Sequence, residues 1–225
     1  MAAHHKLADA EPTRLCAKNN QADTTNFQRL NALTTAEVEF LAYDSGEQYM
    51  IDQLNKGGLA PQKLKLKIGA KVILLKNLDL EWGLVNGSRG TVIDFADEPT
   101  DGETSNTTNG GEKVPVVRFM RSLDSATRDR LMTREEFTIE QQGRVVASRS
   151  QVPLKLAWAI SIHKSQGMTI DCLEVDLEGC FEFGQAYVAL SRATSFDQLR
   201  VLNFRPSVVK AHPKVVDFYR TLHAL

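Results

Sequence analysis

Leu154-Lys-Leu-Ala-Trp-Ala-Ile-Ser-Ile-His-Lys-Ser-Gln-Gly-Met-Thr169 is the stretch of sequence that decides the fold. Within it, residues 156–162 form an apolar run that ends at a polar histidine, which predicts a strand buried on both faces of a parallel sheet. Residues 173–177 and 199–204 carry a similar pattern. A helix is predicted between those two runs, over residues 183–193, so the order of elements favours an α/β fold of the doubly wound type.

The polar loop that follows the first of these strands ends at Thr169. In an open α/β sheet, ligands bind at the edge where such a loop begins. Gly167 allows a main-chain N–H to approach a phosphate, and Lys164, Ser165 and Thr169 can donate hydrogen bonds to phosphate oxygens. His163 can add stacking or a further donor. The loop is therefore either a phosphate-contacting loop or a polar loop without a ligand.

A second segment, Gln185-Ala-Tyr-Val-Ala-Leu-Ser-Arg-Ala193, lies on the predicted helix. Gln185, Ala189 and Arg192 share one face there, and the small residue between two long polar ones leaves room for an anion. Tyr187 lies on another face. An arginine in this position can stabilise the charge that develops on a transferred phosphoryl group, an effect of roughly 10³–10⁵ in rate in known systems. The alternative is a solvated or salt-bridged arginine without such a role.

Both ends of the chain also carry α/β patterns. Residues 13–17 predict a short strand, and Asp23 is predicted to cap the helix that follows. Pro213 opens a predicted closing helix with one apolar stripe. Residues 1–12 have neither an apolar nor an Arg-rich targeting pattern, so we expect a disordered N-terminus and no export or organelle signal.

The middle of the chain is a run of short strand patterns. Residues 66–151 predict an inserted small β-barrel, in which residues 137–150 form a hairpin that turns at Gln142 and the following glycine. Residues 97–113 are acidic and rich in Gly, Thr and Asn, which predicts an exposed, disordered loop inside the β-module.

The overall composition sets limits on function. Lys plus Arg number 27 and Asp plus Glu 28, so the net charge of -1 gives no whole-chain electrostatic argument for a nucleic-acid partner. The 3 cysteines have no C-x-x-C spacing, which argues against a disulfide framework or a structural zinc site. The most apolar run is about half of the roughly 20 residues that span a bilayer, so we expect a soluble protein without a membrane partner.

Four motifs together resemble one family. Ser161-Ile-His-Lys-Ser-Gln-Gly167, followed by the segment from Gln185 to Ala193, resembles motifs five and six of the superfamily-one helicases. Leu84-Val-Asn-Gly-Ser-Arg-Gly90, together with Thr13-Arg-Leu-Cys-Ala17 as motif four, is similar to the Pif family of 5′-to-3′ DNA helicases. The resemblance runs through almost the whole chain, from Thr13 to Leu222.

The resemblance implies a second RecA-like domain, with a parallel sheet and flanking helices, built from residues 13–65 and 152–225. An inserted Src-homology-three-like β-barrel, residues 66–151, interrupts it. Arg192 is then the arginine finger, and the nucleotide cleft includes Gly167, Gln185 and Arg192. The expected DNA contacts are His163, Lys164, Ser165, Thr169, Asn19, Gln21 and Tyr187.

A complete motor of this kind needs a G-x-x-x-x-G-K-[ST] loop for the ATP phosphates and a carboxylate for Mg²⁺. No Gly-Lys-Ser or Gly-Lys-Thr occurs in this sequence. Asp97 and Glu98 imitate the end of a magnesium-binding strand, but they follow a turn in the β-module and are interpreted as solvated loop charges. We therefore expect ATP and Mg²⁺ to act in the complete motor, with single-stranded DNA and a first RecA-like domain as partners. For this chain alone we predict no metal site, no bound cofactor and negligible ATP hydrolysis.

The leading hypothesis is the C-terminal motor half of a helicase in genome maintenance, with roles in DNA repair, recombination and telomere maintenance in the nucleus, the mitochondrion or both. The alternative is a non-catalytic module that binds single-stranded DNA or docks a partner. A third possibility is the helicase segment of a rolling-circle transposon, whose motor resembles the Pif family closely.

Overall fold

The computed structural model describes residues 11–56, 60–98, 112–120 and 126–222. The strands are β1 (Thr13–Cys16), β2 (Val38–Leu41), β3 (Tyr43–Gly46), β4 (Lys63–Leu66), β5 (Lys71–Leu74), β6 (Arg89–Asp97), β7 (Lys113–Met120), β8 (Thr127–Leu131), β9 (Glu135–Gln141), β10 (Arg144–Gln151), β11 (Leu154–Leu156), β12 (Ala159–Ser161), β13 (Leu173–Asp176) and β14 (Leu199–Leu202). The helices are α1 (Asn19–Ala32), α2 (Gln48–Lys56), α3 (Gln185–Leu190) and α4 (Pro213–Leu222).

The chain folds into two compact units. The parallel-sheet unit comprises the residues up to Gln28 and those from Ala157 onward, and the antiparallel unit comprises Arg29–Leu156. The boundary predicted after residue 65 thus lies inside the antiparallel unit, because β3 is hydrogen-bonded to β10. The assignment of these parts to functional domains stays a prediction.

The described residues of the parallel-sheet unit form a sheet of four strands in the order β12-β1-β13-β14. Every pairing is parallel, and Leu15 of the inner strand β1 lies opposite Ile160 on one side and Val175 on the other. All three side chains are buried. The apolar runs therefore predicted the parallel sheet correctly.

The long apolar run before the polar loop is two strands and not one. β11 pairs antiparallel with β5 in the antiparallel unit, whereas β12 pairs parallel with β1. The change falls at Ala157 and Trp158, whose carbonyls already accept hydrogen bonds at 2.9 Å from the Thr13 hydroxyl and the Arg14 N–H. Hydrophobicity predicted burial along the whole run, but it carries no information on which sheet each part joins.

The cap predicted at Asp23 is wrong. Helix α1 begins four residues earlier, at Asn19, and Asp23 is an exposed residue inside it. The Gln21 side chain accepts a hydrogen bond at 3.3 Å from the Lys18 N–H, and so satisfies a main-chain donor at the start of the helix. Several polar residues between 18 and 25 could cap a helix, so the sequence alone does not show where α1 begins. The start at Asn19 follows from the end of β1 at Cys16.

Asn26 joins α1 to the edge strand β12. Its side-chain amide donates to the Ala159 carbonyl at 2.7 Å and accepts from the Ala159 N–H at 2.9 Å. The side chain is buried, so it replaces the neighbouring strand that Ala159 lacks at the edge of the sheet.

In the described part of the antiparallel unit there are three sheets, with the orders β11-β5-β6-β7-β8, β3-β10-β9 and β2-β4. The predicted hairpin is confirmed: β9 and β10 pair antiparallel, and the turn uses positive φ angles of 51° at Gln142 and 74° at Gly143. The predicted β-rich insertion is thus present, while its closure into a barrel stays a prediction.

The predicted loop over residues 97–113 is shorter at both ends. Asp97 is the last residue of β6 and Lys113 the first of β7, and their side chains form an ion pair at 2.8 Å. Asp97 is therefore a strand residue, although its side chain is exposed as expected. Residues 99–111 of this loop, and residues 1–10 of the predicted disordered N-terminus, lie outside the described residues.

Arg149 is a fully buried arginine in β10. Its guanidinium donates to both carboxylate oxygens of Asp44, at 2.7 and 2.8 Å. It also donates to the Asn55 side chain at 2.8 Å and to the Ala60 carbonyl at 2.9 Å. One side chain thereby links β10 to its neighbour β3, to α2 and to the segment after α2.

We expect Asn26→Ala to lower the free energy of unfolding by about 1–3 kcal/mol, because it leaves the buried N–H and C=O of Ala159 without their partner. Urea denaturation measures the change. Gln28→Ala, at an exposed position of the same helix, is the control and should leave the stability unchanged. Equal stability of the two variants would show that the edge strand does not need Asn26.

We expect Arg149→Met to lower the free energy of unfolding by about 3–5 kcal/mol, because Asp44, whose side chain is only 11% exposed, is left as a charge without its counterion. Arg144→Met changes an exposed arginine of the same strand and should alter stability by less than about 0.5 kcal/mol. Both values come from denaturant titrations. A loss of similar size in the two variants would contradict the role given to Arg149.

Candidate nucleotide and DNA site

The polar loop after β12 begins with a tight turn. Residues His163–Ser165 form one turn of 3-10 helix. Ser165 is fully buried, and its hydroxyl donates to the Ile162 carbonyl at 2.7 Å. Its carbonyl accepts from the Met168 N–H at 3.0 Å. Ser165 therefore supports the turn from inside, contrary to the phosphate contact predicted for it.

The other predicted residues of this loop face outward. His163 and Thr169 are exposed, and Lys164 is partly exposed. Gly167 has a φ of +76°, which side chains disfavour, and no atom lies within 4 Å of the position that a Cβ would take. The space beside the Gly167 Cα is thus open, and the phosphate contact predicted at this residue stays a prediction.

An acidic residue contacts the loop. Nε2 of His163 lies 2.7 Å from Oε2 of Glu182, and both side chains are about half exposed. The sequence interpretation missed Glu182, because a carboxylate nineteen positions away gives no local signal of this contact. A phosphate that approached Nε2 of His163 would have to replace this carboxylate.

Helix α3 is shorter than predicted. It covers Gln185–Leu190 and not residues 183–193, since Gly184 has a φ of 74° and does not belong to the helix. Gln185 is 3 % exposed and its side-chain oxygen accepts from the N–H groups of Phe181 and Glu182, at 3.0 and 3.3 Å. Its side-chain nitrogen donates to the Ala17 carbonyl at 3.3 Å. In this conformation Gln185 holds the preceding loop against the end of β1.

Arg192 lies just past α3 and connects the two predicted segments. Its guanidinium donates to the carbonyls of Val188 and Met168, at 3.0 and 3.2 Å, and to the Ser191 hydroxyl at 3.0 Å. The Ile170 N–H also donates to the Arg192 carbonyl at 2.9 Å. The polar loop and the arginine are therefore neighbours, and the role predicted for Arg192 toward a nucleotide stays a prediction.

A cavity of about 400 Å³ opens at the carboxyl ends of β1 and β13. Cys16, Gln21 and Asp176 are among the residues that line it. Burial tends to raise the pKa of Asp176, but hydrogen bonds from Asn203, from the Glu178 N–H and from Arg14 outweigh it, so the pKa is lowered. The carboxylate is thus held charged. The sequence did not predict that Cys16 and Asp176 lie close together, because their proximity depends on the pairing of β1 with β13.

The three remaining candidates lie in two places. Asn19 begins α1, is exposed, and accepts a hydrogen bond from the Ser161 hydroxyl. Gln21 lies in the first turn of the same helix and is exposed. Tyr187 on α3 is 74 % exposed, so its ring is free to contact a ligand.

Among the described residues, no cluster of three or more His, Cys, Asp or Glu could hold a metal ion, and no helix is long and apolar enough to cross a membrane.

Sequence comparisons identify relatives over most of the chain. The family model "DNA helicase Pif1, 2B domain" matches residues 50–95. The chain is 42% identical over 210 residues to the ATP-dependent DNA helicase PIF1 of Xenopus laevis, with 93% of this chain and 30% of the relative covered. The corresponding protein of Homo sapiens gives the same identity and coverage, 42%, 93% and 30%. The chain thus spans about 30% of the length of these relatives.

Solved structures give the same result. The Pif1 helicase of Candida albicans matches with a TM-score of 0.71 and 40% identity, over 96% of this chain and 50% of that chain. Bacteroides Pif1 in complex with ADP-AlF4 matches with a TM-score of 0.70 and 25% identity, over 96% of this chain and 46% of that chain. Bacteroides Pif1 bound to ssDNA matches with a TM-score of 0.58 and 25% identity, over 97% of this chain and 47% of that chain. The resemblance predicted from the motifs is confirmed, and the parallel sheet with its flanking helices fits an α/β RecA-like fold.

We expect Gln185→Met to lower the free energy of unfolding by about 1–3 kcal/mol in the absence of any nucleotide, because one buried and two partly buried main-chain groups lose their partner. Denaturant titration measures the loss. Tyr187→Phe changes an exposed residue of the same helix and should leave stability unchanged. Unchanged stability in Gln185→Met would show that the observed bonds do not position the loop.

Proposed function

We propose that this chain, which is homologous to the Pif1 helicases, forms the C-terminal part of an ATP-dependent 5′-to-3′ DNA helicase motor. The observation that carries the proposal is the tie between the two motif segments, where the Arg192 guanidinium donates to the Met168 carbonyl. It brings a partly buried arginine beside an open, glycine-containing loop at the carboxyl end of a parallel sheet. Ligands bind at that edge in α/β folds.

In this motor Arg192 acts as the arginine finger. The negative charge on the transferred γ-phosphoryl group attracts the guanidinium. When phosphate oxygens replace the carbonyl partners of Arg192, neutral acceptors give way to charge-assisted hydrogen bonds, which are stronger. Gly167 lies on the nucleotide cleft, where the space that a Cβ would fill beside its main chain is open. Gln185 serves the cleft by fixing the loop before α3.

Single-stranded DNA contacts the exposed polar residues of the same edge. Lys164 and Thr169 donate to backbone phosphates, while Tyr187 offers a ring for base stacking. His163, Asn19 and Gln21 are further contacts. Ser165 is left out of this set, because its hydroxyl is buried.

The complete motor needs groups that this sequence lacks. ATP and Mg²⁺ bind a phosphate loop on a first RecA-like domain, and this chain closes onto them as the second, with a Src-homology-three-like barrel formed in the antiparallel unit. Its work is genome maintenance in the nucleus or the mitochondrion, with DNA repair, recombination and telomere maintenance as the expected settings. Alone, the chain hydrolyses negligible ATP.

The test replaces the matching C-terminal segment of the Xenopus laevis helicase by this chain and measures ATP hydrolysis with and without single-stranded DNA. We expect DNA-stimulated hydrolysis, and we expect Arg192→Ala to lower its rate by about 10³-fold or more, because the charge that forms on the γ-phosphoryl group loses its guanidinium.

Arg205→Ala is the matched control, since Arg205 is an exposed arginine of the same unit. It should retain the rate of the unsubstituted fusion. Full activity of Arg192→Ala would remove the finger assignment. A folded fusion that binds single-stranded DNA but never hydrolyses ATP would favour the alternative, a non-catalytic DNA-binding module.

A further inference from the structure

Glu182 is a carboxylate without a role in the motor proposed above. It lies in the short segment before α3, and its Oε2 is 2.7 Å from Nε2 of His163, a residue expected to contact DNA. An ionised carboxylate accepts hydrogen bonds but cannot donate them, so Nε2 of His163 carries the proton and donates it to Glu182. The same N–H is the donor that a backbone phosphate of DNA would use.

The main chain around Glu182 is held in place. The N–H groups of Glu182 and Phe181 both donate to the side-chain oxygen of Gln185, at 3.3 and 3.0 Å. Two residues after Glu182, the Gly184 N–H donates to the Lys210 carbonyl at 2.8 Å. The carboxylate therefore extends from a segment that is hydrogen-bonded on both sides of it.

We propose that Glu182 is an intramolecular competitor of single-stranded DNA: its carboxylate occupies the hydrogen-bonding position on His163 that a phosphate takes when the strand binds. This inference rests on the proposed function, in which His163 contacts DNA. Carboxylate and phosphate are both anionic acceptors, so they exclude each other at one N–H. Binding of the strand therefore includes displacement of the Glu182 carboxylate.

The exposure of this contact permits the exchange. The side chains of His163 and Glu182 are 47% and 46% exposed, so an arriving phosphate can reach both of them. Exposed ion pairs contribute little free energy, because water solvates both partners when they separate. The displaced carboxylate passes into solvent at a small cost, and the competition lowers the affinity for DNA without abolishing it.

Local charge has a large influence at this loop. The net charge of the chain is -1, so attraction of a polyanion depends on the charges near the contact rather than on the whole chain. Lys164 follows His163 and is the neighbouring cation. A carboxylate placed at His163 reduces the positive potential that this lysine provides, and it repels the phosphate that would replace it.

DNA binding by the fusion that tests the proposed function also tests this inference. The measurement is the fluorescence anisotropy of a labelled single-stranded oligonucleotide, without nucleotide. We expect Glu182→Gln to bind the strand about two- to fivefold more tightly, because glutamine keeps the size of the side chain and lacks its charge. The gain should shrink as salt is raised from about 50 to about 200 mM, since salt screens exposed charges. Glu182→Asp keeps the charge and should not bind more tightly than the unsubstituted fusion.

Two controls separate competition at His163 from general repulsion. Asp197→Asn removes one negative charge from an exposed position of the same unit and should leave the affinity unchanged. In a His163→Asn background, Glu182→Gln should give no gain, because the donor for which carboxylate and phosphate compete is absent. A structural effect of Glu182→Gln would not depend on His163 in this way.

The inference is overturned if Glu182→Gln binds the strand as the unsubstituted fusion does, or more weakly, since weaker binding would mean that Glu182 holds His163 ready for DNA. An equal gain in Asp197→Asn, or a gain that persists in the His163→Asn background, would also overturn it.

ATP hydrolysis by the same fusion reports on the proposed function separately. DNA-stimulated hydrolysis with no gain in Glu182→Gln leaves that function standing and removes only the competitor. Tighter binding by Glu182→Gln in a fusion that never hydrolyses ATP does the reverse. A fusion that binds no strand in any variant overturns the DNA contacts of the proposed function and this inference together.

Discussion

The pairing of β1 on both of its sides is the constraint on which the parallel-sheet unit depends. This strand of four residues lies between β12 and β13, which follow it by more than 140 positions. Every backbone hydrogen bond that it makes therefore closes a long loop, and the entropy of that closure has to be offset by burial of the strand. Leu15, fully buried in β1, supplies part of this burial and lies opposite buried residues of both neighbouring strands.

The candidate site is a consequence of this pairing. Because β1, β12 and β13 run parallel, their carboxyl ends meet at one edge, and the loops that leave them come together there. The cavity beside Cys16 and Asp176 exists only because these two residues end adjacent strands. The polar loop after β12 reaches the same edge, and Arg192 is tied to it through the Met168 carbonyl.

Buried polar side chains fix how the elements join. Asn26 completes the edge strand, Gln185 holds a loop to the end of β1, and Arg149 links β10 to its surroundings in the antiparallel unit. Each of them replaces water by protein partners, so its contribution is small when every bond is made and its loss is costly when one is missing. Such groups specify one arrangement of elements that hydrophobic burial alone would leave open.

The sequence by itself determined the parallel and antiparallel halves, the turn at Gln142, and the two motifs of the site, because these depend on local periodicity and on side-chain chemistry. Only the tertiary structure decided that the run before His163 belongs to two different sheets, since burial looks the same whichever strand is the neighbour. The same holds for the site residues: Ser165 and Gln185 have the donors and acceptors that a ligand needs, yet both are buried and satisfied by the main chain. The residue type determines which hydrogen bonds a side chain can form. Whether the side chain is free to form them with a ligand depends on neighbours from distant parts of the chain.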